Sequence, residues 1–201
     1  MVSALILLAD GTEEMEFTII YDTLVRAGII CTSAFVPSDA SAADTDARIS
    51  PPFAKGSRGI RIQPDTYFSL QALRVEKFGA IIIPGGAQGA RTMAESPAVQ
   101  RLVREFYEQK KIVGMICAGS MAALTSKLPK QPLTSHPSVK SKLETEYDYR
   151  EDSVVVSGNL ITSRGPGTAF PFALTLIEHL CGATKREEVQ GPMMFPPETT
   201  W

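Results

Sequence analysis

Cys117 occupies the setting in this chain that most invites chemistry. It follows the apolar run Ile112-Val113-Gly114-Met115-Ile116 and precedes Ala118-Gly119-Ser120, which open a helical stretch. A thiol at such a strand-to-helix turn faces the positive end of the following helix, which favours the thiolate and predicts a lowered pKa. The N–H after it can also stabilise a developing oxyanion, as at a nucleophile elbow. Met115 stands where the elbow's usual first glycine would be, so an ordinary buried cysteine stays open as the plainer reading. Gly114 and Gly119 have phosphate-loop spacing, but Ser120 occupies the place of the required lysine. Cys31, inside the apolar run 29–36, and Cys181, beside Gly182, read as core packing.

A carboxylate on the wrong face of a helix is the second candidate. Glu16, Ile20, Leu24 and Ala27 recur at helical spacing and share one face. Glu13 and Glu14 suit a helix N-terminus, whereas Glu16 opens the apolar stripe. Burial would raise its pKa and make it an acid or base near neutrality; a partly exposed glutamate at the rim of the face is the alternative. Ile81-Ile82-Ile83-Pro84-Gly85-Gly86 ends a buried run in two glycines, as close approach to a ligand, or any tight turn, would require. His136, in Thr134-Ser135-His136-Pro137, is placed to orient a substrate or serve the nucleophile, while His179 lies in an apolar helix and reads as structural. The N–H groups of Thr162-Ser163-Arg164-Gly165-Pro166-Gly167-Thr168 can also face a site.

These groups need a frame that brings them together. Apolar runs at 2–9, 29–36, 78–83, 112–116 and 160–163 suit buried strands. Helical patterns cover 13–27, ending at Gly28, and 98–111, capped by Ser96 and Pro97; two more cover 119–127 and 167–181, the last closed by Gly182. Strands alternating with helices predict an α/β fold with a parallel sheet covered on both faces, its ligands beyond the carboxyl ends of the strands. Those ends are 10–16, 84–89, 117–120 and 164–168. Segment 37–56, rich in Ala, Ser, Asp and Pro, reads as a surface loop insertion. The tail 184–201, with Met193, Met194, Phe195 and the only tryptophan, Trp201, reads as docking on a surface.

Composition narrows the function classes. The 201 residues favour one domain over 1–201, and 44% hydrophobic with 21% charged residues is a soluble globular composition. Lys plus Arg number 20 and Asp plus Glu 22, for a net charge of −2, which offers no footprint for nucleic acid or an anionic membrane. Three widely spaced cysteines exclude a disulfide framework and point to a reducing compartment. Two histidines, with no CxxC or HExxH, argue against a metalloenzyme. The first apolar run is too short to span a bilayer and is followed at once by Asp10, Glu13 and Glu14, unlike a signal peptide. The expected location is the cytoplasm, with the nucleus open to a small soluble chain.

Taken together, Ala9-Asp10-Gly11-Thr12-Glu13-Glu14-Met15-Glu16, Pro84-Gly85-Gly86, Ile116-Cys117-Ala118-Gly119 and the two loops at 134–137 and 162–168 resemble one known family. It is the DJ-one family of the ThiJ/PfpI superfamily, the parkinsonism-associated deglycase and glutathione-independent glyoxalase III group, and the resemblance spans nearly the whole chain. It implies a flavodoxin-like three-layer sandwich with a mostly parallel sheet, of the class I glutamine amidotransferase-like kind, and a homodimer that uses no cofactor. It further implies Cys117 as nucleophile, Glu16 as its proton-sharing partner, the Gly86 and Ala118 amides as oxyanion hole, and His136 as a nearby auxiliary. Gly85, Arg26 and Arg58 would line the substrate groove. Gln63 replaces a second cysteine carried by some relatives, which weakens any redox role beyond Cys117.

The function expected on this basis is a glyoxalase that turns a small 2-oxoaldehyde, methylglyoxal, into D-lactate through a Cys117 hemithioacetal. A deglycase would use the same chemistry on early adducts of amino groups. The alternative is a redox-sensing stress protein in which Cys117 is oxidised to a sulfinate held by Glu16. A peptidase or amidotransferase is disfavoured, because Ala118 stands where PfpI-type peptidases place a histidine and neither His136 nor His179 belongs to a His-x-Glu.

Overall fold

The central strand shows how the core is built. Along β1 (Ser3–Leu8), Leu5 and Leu7 enter one hydrophobic cluster while Ala4, Ile6 and Leu8 enter another, and all five are fully buried. Two covered faces are what a continuous apolar strand demands. This computed structural model describes residues 1–38 and 51–199, so Trp201 and most of the 37–56 insertion lie outside the described residues.

Helix α1 (Glu14–Arg26) and strand β2 (Ile30–Phe35) follow β1, then the short strands β3 (Ala54–Lys55), β4 (Arg61–Ile62) and β5 (Thr66–Tyr67). Next come β6 (Ala80–Ile83), α2 (Ala87–Glu95), α3 (Pro97–Glu108), β7 (Ile112–Ile116), a 3₁₀ turn over Cys117–Ser120 and α4 (Met121–Thr125). The rest of the chain forms β8 (Pro132–Leu133), α5 (Pro137–Leu143), β9 (Asp148–Tyr149), β10 (Val154–Ser157), β11 (Leu160–Ser163), α6 (Ala169–Cys181) and α7 (Ala183–Gln190). Seven strands pair in the order β10-β11-β7-β6-β1-β2-β5, parallel throughout except for the β10–β11 hairpin.

One face of the sheet packs Leu102, Val103 and Phe106 of α3 and Ala122 and Ala123 of α4. The other packs Phe17, Ile20 and Leu24 of α1 with Phe172, Leu176 and Ile177 of α6. The result is the flavodoxin-like three-layer sandwich with a mostly parallel sheet. The chain leaves β1 towards β2 on one side and returns to build β6 and β7 on the other. The carboxyl ends of β1, β6 and β7 therefore flank the point where strand order reverses, where a crevice opens in such sheets.

Several elements depart from the sequence expectation. Glu13 is the N-cap of α1 rather than its first turn, its side chain accepting the Glu16 N–H at 2.8 Å. The 119–127 and 167–181 patterns each begin as a 3₁₀ turn, over Cys117–Ser120 and Pro166–Thr168. Helix α2 carries Gly89 inside it and has no side-chain cap, so local propensity hides it; burial of Ala90, Met93 and Ala94 holds it in place. Strand β10 is an antiparallel edge strand, too short to stand out by periodicity. In the tail, α7 packs along α6 and Phe195 meets Phe170 edge-on at 5.0 Å. No helix among the described residues is long and apolar enough to cross a membrane.

Candidate active site

Cys117 ends β7 with φ at +61°, and among the described residues it is the one buried non-glycine residue in the left-handed region. That conformation costs an L-residue about 1–2 kcal/mol, and the surroundings hold it. The Cys117 carbonyl accepts the His136 N–H at 3.3 Å. The elbow also sits so close to the end of β6 that a Cβ on Gly119 would come 2.5 Å from the Ile83 carbonyl oxygen. Met115, in the place of the missing elbow glycine, points into the core with α3 and α4.

Glu16 is fully buried on α1. Its Oε2 accepts the Gly85 N–H at 2.7 Å, and Oε1 is buried with no hydrogen-bond partner among the described residues. Gly85 is the surface on which carboxyl and thiol meet. A Cβ there would lie 2.5 Å from Cys117 Cβ, 2.7 Å from Glu16 Oε2 and 2.9 Å from Cys117 Sγ. Residues 16, 85 and 117 are thus brought into one contact from three strand ends.

Burial pushes the Glu16 carboxyl up to about 7, with Glu13 adding to it, against the pull of the Gly85 N–H and the thiol. Burial, and then the charge of Glu16, push the Cys117 thiol up to about 12, while the Ala118 and Gly86 N–H groups pull it down. The sequence predicts only that downward pull. The elbow amides do aim at the sulfur, but burial and the neighbouring carboxylate outweigh them as long as Glu16 is ionised. What the site opposes is a second negative charge, so with Glu16 ionised the thiol keeps its proton.

Gly86 has φ at +85° and starts α2. A Cβ on it would fall 2.1 Å from the Gly11 carbonyl oxygen, so only glycine fits. Its N–H and that of Ala118 converge on the sulfur from the starts of two helices, the arrangement an oxyanion needs. A cleft of about 410 Å³ opens here, lined by Cys117, Gly86, Ala118, Glu13, Arg58 and His136 among others.

The remaining expected site residues separate. His136 lines the cleft and caps α5: Nδ1 accepts the Ser138 N–H at 3.2 Å and pairs with Ser138 Oγ at 2.8 Å. With Nδ1 accepting, the neutral tautomer carries its proton on Nε2 and offers a donor. Arg58 lines the cleft, but Arg26 does not. It lies ten residues beyond Glu16, roughly 15 Å along the helix axis, exposed and paired with Asp22 at 2.6 Å. The 162–168 loop contributes Pro166, yet its Arg164 and Gly165 N–H groups both bond Thr168 Oγ1 at 3.1 Å and do not face the cleft. Missed altogether were Ser57, Gln88 and Ser138 on the cleft wall, and Glu14 behind it. Nothing in local periodicity marks them, because their place depends on packing between distant loops.

Comparison with known proteins bears directly on this arrangement. The profile of the DJ-1/PfpI family matches residues 2–179. The chain belongs to the DJ-1/PfpI family. Among DJ-1/PfpI proteins it is similar to the glutathione-independent glyoxalase DJ-1 of Schizosaccharomyces pombe, 37% identical over 198 residues that cover 98% of this chain and all of that one. The glutathione-independent glyoxalase DJR-1.2 of Caenorhabditis elegans is 36% identical over 193 residues, 95% of each chain. The crystal structure of Drosophila melanogaster DJ-1beta superposes with a TM-score of 0.85 at 39% identity, covering 97% of this chain and 98% of that one.

The raised Glu16 carboxyl gives this DJ-1/PfpI site a stability signature. Folded, the group titrates at about 7, against an ordinary value of 4.5. Between those values the native state keeps a proton that the unfolded chain has released, so the contribution is full below about 4.5 and is lost as pH rises through 7. The loss amounts to roughly 3 kcal/mol. Denaturant midpoints at pH 5 and pH 8 should therefore fall more steeply in the wild type than in Glu16→Gln. Parallel profiles in the two proteins would remove Glu16 as the cause.

Proposed function

We propose that this chain is a cofactor-free glyoxalase that converts methylglyoxal to D-lactate. The observation that carries this reading is the Glu16–Cys117 pair meeting across Gly85, with two backbone N–H groups on the sulfur. It is supported by the S. pombe and C. elegans relatives, which are glutathione-independent glyoxalases.

In this reading the Cys117 thiolate adds to the aldehyde carbon, and the developing oxyanion is held by the Gly86 and Ala118 N–H groups. Glu16 hands over its proton to give the hemithioacetal. The resulting carboxylate then removes the hydrogen of the first carbon while the ketone oxygen takes a proton from water, forming an enediol. Glu16 returns its proton to the second carbon as the first-carbon hydroxyl gives its proton back to water. A single buried carboxyl reaches only one face of that carbon, which favours one enantiomer. The product is a thioester of Cys117, which water from the cleft hydrolyses to lactate and free thiol. The His136 Nε2–H donor suits the ketone oxygen of the bound substrate.

The test is incubation with methylglyoxal without glutathione or metal, followed by an enantiomer-specific lactate assay. D-lactate is the expected product. If no lactate forms while Cys117 is a free thiol, the glyoxalase reading fails, and oxidation sensing at the same cysteine becomes the better account. A reducing, cytosolic setting suits the proposed chemistry, since it keeps Cys117 as a thiol.

A homodimer belongs to the same proposal. Met15, Val25, Phe53 and Ile60 are large apolar side chains left about half exposed, with Met15 and Val25 on the outer face of α1. Sedimentation equilibrium should give twice the chain mass, and Met15→Glu should shift it towards the single chain. A single-chain mass for the wild type would overturn the dimer.

A further inference from the structure

The proposed chemistry leaves one buried carboxylate unused. Glu14 is only 4% exposed, yet among the described residues it makes no ion pair and belongs to no part of the Cys117–Glu16 contact. Apart from the one to its own backbone N–H, its bonds among the described residues run to one loop. Glu14 Oε1 accepts the Arg58 N–H at 2.5 Å and the Ile60 N–H at 3.4 Å, and Oε2 accepts the Ser57 hydroxyl at 2.9 Å. Ser57 Oγ in turn accepts from Arg58 Nη1 at 3.2 Å. The carboxylate thus grips Arg58 twice, directly at its backbone and through Ser57 at its guanidinium. Gly56 has no side chain because a Cβ would fall 2.4 Å from Glu14 Cγ.

Burial alone would push the Glu14 carboxyl up, but its own backbone N–H and then the loop's donors hold it below the ordinary value and keep it ionised. The loop has other moorings: the Ser57 N–H donates to the Thr12 carbonyl at 2.8 Å and the Lys55 N–H to Asp10 Oδ1 at 2.8 Å. Those fix where the loop starts. They leave the orientation of the Arg58 side chain to Glu14 and Ser57.

We propose that Glu14 is a positioning residue that holds Arg58 over the Cys117 cleft through the chain Glu14–Ser57–Arg58, making Arg58 the determinant that draws anionic or strongly polar carbonyl substrates to the thiol. The inference rests on the glyoxalase reading for its kinetic consequence alone, so its main test needs no turnover.

That test is alkylation of Cys117 in the intact protein by iodoacetate and by iodoacetamide, read at the Cys117 peptide by mass spectrometry. The two reagents differ chiefly in charge, so the ratio of their rates reports a cation at the cleft mouth. Arg58→Ala should lower the iodoacetate-to-iodoacetamide ratio several-fold. Glu14→Gln should lower it by a similar factor, and the double variant should fall no further than Arg58→Ala alone, since both remove the same interaction. Ser57→Ala, which leaves the buried carboxylate in place, should give a partial loss even if Glu14→Gln folds poorly.

An unchanged ratio in Arg58→Ala would show that the guanidinium does not act on the thiol and would overturn the proposal. So would a lowered ratio in Arg58→Ala with unchanged ratios in both Glu14→Gln and Ser57→Ala. With methylglyoxal as substrate, Glu14→Gln should raise KM by a larger factor than it lowers kcat. A wild type without glyoxalase activity leaves the alkylation result standing and removes only this last measurement.

Discussion

Cys117→Ala is expected to abolish lactate formation from methylglyoxal, a loss of about 10⁴-fold or more in kcat/KM, because no second thiol lines the cleft among the described residues. Cys31 donates to the Ile29 carbonyl at 3.8 Å, with its thiol pushed up to about 12 by burial and by Asp65, and Cys181 ends α6. Serine at either position should leave activity near that of the wild type. Cys117→Gly should be equally inactive yet more stable than Cys117→Ala. The backbone at +61° burdens alanine by about 1–2 kcal/mol, and glycine escapes that at a smaller cost in chain entropy of about 0.5–1 kcal/mol. A net gain near 1 kcal/mol corresponds to about 2–4 °C in Tm for a chain of this size. Calorimetry on the two variants reads that difference directly. Equal melting temperatures would show that the elbow is unstrained, and residual activity within about a hundredfold of wild type would show that Cys117 is not the nucleophile.

Glu16→Gln should lower kcat/KM by about 10³–10⁴-fold, for a different reason. Glutamine has nearly the same volume, and its carbonyl can still accept the Gly85 N–H, so the fold and the thiol stay in place. What is lost is the capacity to carry a proton, which the proposed mechanism needs at the hemithioacetal oxygen, where water can substitute, and again at each carbon of the substrate, where it cannot. Hemithioacetal formation needs that capacity least. The variant should therefore accumulate a methylglyoxal adduct on Cys117, visible by intact mass, while releasing little lactate. Glu16→Asp keeps the acid but draws it back from Gly85 by one methylene, and an intermediate loss of about 10²-fold is expected from misplacement. Lactate release by Glu16→Gln within about tenfold of wild type would assign the proton transfer to another group.

Both residues are conspicuous in the sequence, each because it breaks a local pattern. Glu16 interrupts an apolar helical face, where a carboxylate is either buried or held at the rim, and packing decides for burial. Cys117 stands at a boundary between an apolar strand and a helix, where backbone N–H groups are unpaired. Gly85 and Gly86 were visible only as a pair of small residues after a strand. That one spaces thiol from carboxyl, and the other turns its N–H to the sulfur, follows from contacts with residues 11, 16 and 117. Glu14 looked like an ordinary helix-start acid, and its link to residues 57–60 crosses more than forty positions. Arg26, which the resemblance sets with Arg58 in a dimer-side groove, lies outside the cleft of the single chain, because a helix carries it away from Glu16 at 1.5 Å per residue.

By itself, then, the sequence determined the periodicities: which runs are strands, which faces are apolar, and which residues stand at the carboxyl ends of the strands. Periodicity is a property of neighbours along the chain, so it is legible without a fold. The tertiary structure alone decided the strand order β7-β6-β1, which sets three loops side by side and brings Glu16 within 2.7 Å of the Gly85 nitrogen across 69 residues. It also decided the proton affinities. The desolvation that raises Glu16 and opposes a second charge on Cys117 comes from packing by distant segments, and local residue type carries no trace of it.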